Sequence, residues 1–372
     1  MSIKMRNEKI AARQLWFILF LMRTTTVLAY LPVLTSADAF QDAWISSIIT
    51  LIGSEVFVLL VSLLVVKFPD KTIIEYSQLL LGNWIGKLMG LLFLWLFLQL
   101  SVVDIRIYAE LITTGFLPNT PQIFIIGIMV LLATICVEQG IEIVARMADV
   151  LFFVFIIMVF FVILISLTEF NFQNIQPIYA RGMVPILRGA MTPIALISQI
   201  WVLGMLTPTV VRPEKTVKVA LTSIGVSIII LIIATFVTIG VLSPKEAARA
   251  TFPLLSLMRS IRVSSFLERM EILVIFSWGF GLFISISTYM YSGAQGLAQW
   301  LSLKDYRAII WPMAVIWIFL TVQGFDDIFA LYNFLKLETF APYGFALLIF
   351  PLLILWSAYL IRKNTGTLGG KK

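Results

Sequence analysis

Runs of about twenty apolar residues recur from one end of this 372-residue chain to the other, each long enough to cross the roughly 30 Å hydrocarbon core of a bilayer as a helix. No other feature restricts the fold so severely. Inside hydrocarbon no water is present to pair backbone N–H and C=O groups, so a spanning segment is a helix or part of a closed barrel. Continuous apolar runs, unlike ten-residue alternating ones, select the helix. With 60% hydrophobic and 13% charged residues and a mean hydropathy of +1.01, the expected fold class is an all-α polytopic membrane protein.

The runs predict about ten spans, at residues 14–34, 43–66, 84–115, 121–137, 147–168, 190–211, 217–242, 268–300, 308–323 and 341–361. Ten spans put both termini on one side. Counting loops alternately gives that side roughly 17 Lys and Arg against roughly 8, which points to cytoplasmic termini. Ser243 to Arg269 runs against that bias, with Lys245, Arg249, Arg259, Arg262 and Arg269 on the outer side; its Ser-Pro start predicts a short interfacial helix. Ten spans also divide into five plus five, and an odd number per half turns the second half upside down relative to the first. The predicted division is a cytoplasmic amino terminus 1–13, a first half 14–168, an outer loop 169–189, a second half 190–361 and a cytoplasmic tail 362–372. The amino terminus, basic and without a small-residue cleavage site, reads as a retained start to the first span.

Composition excludes several chemistries. The net charge of +7 comes from short basic clusters between apolar runs, the pattern of membrane-flanking loops rather than of nucleic-acid binding. Without histidine, and with the single cysteine Cys136, the chain has no internal disulfide, histidine metal site, Ser/His triad or histidine relay. No Gly-rich phosphate loop or paired carboxylates of catalytic type occur, so neither an enzyme nor a cofactor is expected.

Polar residues at membrane depth are costly and tend to face a cavity or a partner. Arg23, Thr24, Thr25 and Thr26 fall near the middle of the first span. Two readings stand: a break whose freed backbone groups and hydroxyls form a half-site, or an unbroken helix whose threonines bond their own backbone while Arg23 snorkels or meets a carboxylate. Five spans later Pro193, Ser198, Gln199, Trp201 and Gly204 interrupt the sixth run, and Pro193 removes a helix hydrogen bond. In the third span Arg106 and Glu110 are four apart and can pair, while Asp104 and Tyr108 share another face, free to line a cavity or to meet Arg23. Glu55 in the second span is a further carboxylate candidate. Glu138, Glu142, Arg146 and Asp149 form a salt-bridged face. Ser277, Gly281, Ser285, Thr288 and Ser292 form a small-residue stripe suited to close helix approach.

Four segments carry a family resemblance: "QDAWIS" (Gln41 to Ser46), "PILRG" (Pro185 to Gly189), "FPLLSLMRSI" (Phe252 to Ile261) and "FLERMEILVIFSW" (Phe266 to Trp278). In order and spacing they resemble the GerAB/spore permease family, the membrane B subunits of nutrient germinant receptors, within the amino acid/polyamine/organocation transporter superfamily. The resemblance implies an APC/LeuT-like 5+5 inverted repeat with broken first and sixth helices around a small ligand, usually an amino acid. It also implies residence in the cell membrane or spore inner membrane, and partners in a membrane-anchored A subunit and a lipoprotein C subunit. Where many relatives carry a Phe-Gly-Glu-like turn, this chain reads "LISQ", Leu196 to Gln199. Gln199 can bond a ligand but cannot neutralise an ammonium group or carry a proton.

The expected function is therefore a germinant-binding receptor subunit, with Thr24, Thr25, Thr26, Ser198, Gln199, Trp201 and Gly204 as pocket, Tyr108 and Trp278 as walls, and Arg23 meeting a ligand carboxylate or Asp104. The alternative is a proton-coupled amino acid permease using Asp104 or Glu55. A structural assembly subunit is the third reading.

Overall fold

A computed structural model describes residues 8–260 and 270–365. The expectations for 1–7, for 261–269 with Arg262 and Arg269, for 366–372 and for the side chain of Ser277 lie outside the described residues. The helices are α1 (Ala12–Ala39), α2 (Ala43–Val65), α3 (Ile73–Leu81), α4 (Asn83–Gly115), α5 (Gln122–Gln139), α6 (Ile141–Ser166), α7 (Met183–Ala195), α8 (Leu203–Leu206), α9 (Thr216–Leu242), α10 (Pro244–Ala247), α11 (Pro253–Ser260), α12 (Met270–Trp300), α13 (Arg307–Gln323), α14 (Ile328–Leu335) and α15 (Leu337–Asn364). Among the described residues seven helical stretches are long and apolar enough to cross a membrane, or eight when α13 and α14, bent by 95°, count as one span. α1 and α12, at 28 and 31 residues, are also long enough by their rise.

The inter-helix contacts come in exchangeable pairs. Where α1 touches α9, α2 touches α7; where α1 touches α12, α4 touches the 3-10 segment Leu196–Val202; where α6 touches α12, α15 touches α4; and where α1 touches α6, α7 touches α15. Advancing each span by five maps every member of these pairs onto the other. Such reciprocity is the packing signature of a five-helix unit used twice in opposite orientation.

Two expectations need correction. α1 is helical throughout Ala12–Ala39, so the first span is not broken. Thr25 and Thr26 donate their hydroxyls to the carbonyls of Leu21 (2.7 Å) and Met22 (3.0 Å). These bonds lie within the helix itself, the pattern of threonines in an unbroken helix. The sixth span does change its winding: α7 contains Pro193 and passes into 3-10 geometry at Leu196–Val202 before α8 resumes. It also starts at Met183, inside the stretch expected to be loop.

Two of the four resemblance segments have identifiable work in the fold. Asp42 accepts the Tyr179 N–H (2.9 Å) and Gln41 donates to Pro177 O (3.2 Å), holding the outer loop down. Arg188 reaches Asp38 at the end of α1 (3.4 Å) and Glu338 at the start of α15 (2.7 Å). At the opposite end of the bundle, Ile10 exchanges backbone bonds with Thr209 and Val211, and Glu8 accepts from Arg307 (2.9 Å) and from the Ile141 N–H. The Glu138 to Asp149 face takes part there: Arg146 meets Glu142 at 4.0 Å, while Asp149 takes Arg13 and Gln14. Both ends of the bundle are tied shut.

Candidate ligand-binding site

The 3-10 segment Leu196–Val202 is buried along its whole length. Tightening the winding from i−4 to i−3 bonding disturbs the backbone ladder where the two forms meet, and at that junction the Pro193 carbonyl accepts a bond from Arg23 Nη2 (2.9 Å). Arg23 is fully buried, and its Nε and Nη1 have no partner among the described residues. It therefore neither snorkels nor forms an ion pair with Asp104.

Beside the rewound segment lies a closed hollow of about 10 Å³, room for one water at most. α1 contributes Thr26 and Tyr30, α4 contributes Gln99 and Asp104, the 3-10 segment contributes Gln199, and α12 contributes Tyr289. Leu335 of α14 and Phe340 of α15 close it. Tyr289 donates to Gln199 Oε1 (3.0 Å), leaving the Gln199 amide nitrogen and Asp104 Oδ2 buried without partners. The Asp104 carboxyl lines the hollow, whereas Arg23 lies against the Pro193 carbonyl of the sixth span and does not line it.

Of the residues singled out from sequence, Thr26, Gln199 and Asp104 line this hollow. Ser198 is buried nearby in the chain with an unpartnered hydroxyl. The others face elsewhere. Thr24 bonds Ser227 of α9 (3.0 Å). A Cβ added to Gly281 would run into Thr25 Oγ1, so Thr25 packs closely against α12. Trp278 donates to Thr25 O (3.1 Å), and Tyr108 rests on Gly279. Trp201 packs against Phe93 with 5.1 Å between ring centres. At Gly204 a Cβ would come within 2.7 Å of Ile73 Cβ, so its role is close packing on α3.

Glu55 is half-buried against Gly225 of α9, apart from the hollow. Arg106 and Glu110 pair at 2.8 Å, and Arg106 also donates to Thr321 O and Asp326 O, clasping the bend between α13 and α14. Tyr30, Gln99 and Tyr289 were not legible as site residues. Tyr30 follows Thr26 by four, which places both on one helix face. Gln99 and Tyr289 have no such local signal.

Helix contacts that exchange under a five-span shift, around a closed polar hollow at a rewound sixth span, define a multi-pass membrane protein of LeuT-like fold. A solved structure described as MhsT in complex with L-phenylalanine superposes with a TM-score of 0.69 at 15% identity, covering 91% of this chain and 89% of that one. Residues 9–357 match the spore permease family, described as spore germination protein, and the chain belongs to that family, which is one of germination proteins and not of enzymes. Spore germination protein YndE of Bacillus subtilis (strain 168) is 26% identical over 312 residues, 83% of this chain and 86% of that protein. Spore germination protein KB of the same organism is 24% identical over 316 residues, 84% of each.

Proposed function

We propose that this chain is the integral-membrane subunit of a spore nutrient germinant receptor, binding a small germinant of the amino-acid class in the hollow beside the rewound sixth span. The change on binding passes to a membrane-anchored A subunit and a lipoprotein C subunit. The observation that carries this reading is the set of buried, unpartnered polar atoms: Arg23 Nε and Nη1, Asp104 Oδ2 and Gln199 Nε2. Leaving such groups unsatisfied away from water costs about 1–3 kcal/mol each, and a zwitterion bridging Arg23 and Asp104 would satisfy them. Asp104 thereby supplies, from across the hollow, the carboxyl group that Gln199 lacks. MhsT, of the same fold, holds a free amino acid, which supports the ligand class.

The hollow is too small for an amino acid as it stands, so binding requires the halves, residues 14–168 and 190–361, to move apart around it. A germinant can drive that shift only by favouring the opened form. Cytoplasmic termini in the cell membrane or spore inner membrane complete the reading. The unpartnered Asp104 carboxylate also favours a second reading, a proton-coupled amino acid permease, in which the protein alone in liposomes would carry flux.

In spores carrying the full receptor, Asp104→Asn and Gln199→Ala should each shift the germinant dose response upward by about ten-fold or more, the worth of a buried charge-assisted bond. Thr24→Val, which touches only Ser227, should leave it nearly unchanged. An unshifted response in both pocket variants refutes the assignment.

A further inference from the structure

Away from the hollow, the first turns of α1 and α9 flank a cavity of about 420 Å³ lined by Arg13, Trp16, Lys215, Lys218 and Thr222. We propose that it is a headgroup site for an anionic phospholipid. Three observations converge on that chemistry.

The first is charge. Both helices begin at this end of the bundle, and neither has an acidic residue in its first turn. Their dipoles add positive potential to that of the side chains. Arg13 is shared with Asp149, but Lys215 and Lys218 are exposed and form no ion pair among the described residues. No carboxylate lines the cavity.

The second is the floor. Trp16 donates its indole N–H to Thr222 (3.0 Å) and stacks on Phe20 at 5.0 Å. That is the amphipathic placement a tryptophan takes at the junction of headgroups and acyl chains.

The third is direction. Lys215, in the turn leading into α9, and Lys218, Thr222, Val226, Ile229 and Ile233 on α9 follow one another at three or four residue spacing, which sets them along one stripe. The stripe begins with two ammonium groups at the cavity and continues with three exposed aliphatic side chains into the membrane. A phosphate held at the top of such a stripe leaves its acyl chain lying along Val226, Ile229 and Ile233. A free phosphate would use only the upper half. The inference is independent of any ligand in the central hollow.

Native mass spectrometry of the purified full-length protein, titrated with phosphatidylglycerol or phosphatidylcholine, tests it. Phosphatidylglycerol should be retained in preference to phosphatidylcholine. The double variant K215Q/K218Q should weaken that retention roughly twenty-five-fold at low salt, at roughly five-fold per lysine. An equal loss of charge in the neighbouring loop on the same side, K67Q/K71Q, should change it by less than about two-fold, since screening confines each charge to its surroundings. The proposal is overturned by equal retention of the two lipids, by unchanged retention in K215Q/K218Q, or by an equal loss in K67Q/K71Q. Displacement of the lipid by inorganic phosphate at the same concentration would likewise overturn it, because the acyl stripe would then contribute nothing.

Discussion

At the scale of single residues, a threonine's hydroxyl can serve an unwound stretch or bond back into an intact helix. Thr25 and Thr26 could have filled the gaps of an unwound stretch, yet they bond to carbonyls four residues back within an unbroken α1. Thr25 then presents its Oγ1 to α12, where only a glycine fits. Gly281→Ala places a methyl 1.9 Å from that oxygen and should cost about 1–3 kcal/mol of stability, the usual effect of overpacking. Thermal unfolding of the detergent-solubilised protein should show the loss. Adding Thr25→Ala should restore most of it, because the two side chains share one contact. A double variant as unstable as the single one would place the strain elsewhere.

Elements are governed by who takes up their loose backbone groups. Pro193 cannot donate an N–H, the winding tightens three residues later, and Arg23 takes the Pro193 carbonyl. The bend between α13 and α14 is handled in the same manner by Arg106, which is held in turn by Glu110. Both members of this pair are almost fully buried. Removing one alone, as in Arg106→Met, strands Glu110 and should destabilise by about 3–5 kcal/mol. The double variant R106M/E110M should recover part of that loss in a chemical unfolding series. Equal losses in single and double variants would mean that the clasp on Thr321 and Asp326, rather than the buried charge, dominates.

For the whole molecule, the same logic acts between the halves. Arg188 ties α1, α7 and α15 together at the end opposite the amino terminus, through partners that are partly exposed. Exposed pairs contribute at most about 1 kcal/mol each, so Arg188→Gln should loosen this end without unfolding the protein. With Thr26→Cys as a reporter in the hollow, maleimide labelling of the purified protein should quicken about five-fold, as expected for a shift of about 1 kcal/mol in a two-state equilibrium. Cys136 is buried and serves as an internal reference. Unchanged labelling would show that Arg188 does not hold the closed form.

The succession of apolar helices, the disturbed sixth span and the Arg106–Glu110 pair were legible in the sequence, because each follows from local rules: span length, a proline's missing donor, a spacing of four. The small-residue stripe on α12 was legible for the same reason. Tertiary structure alone decided that α1 stays wound and that Thr24 and Thr25 turn to neighbouring helices. It also decided that Tyr30, Gln99 and Tyr289 join Thr26, Gln199 and Asp104 around one hollow. These residues are brought together from α1, α4, the 3-10 segment and α12, and which face of each helix looks inward depends on what packs outside it. That information is shared among distant segments, so no stretch of chain contains it by itself.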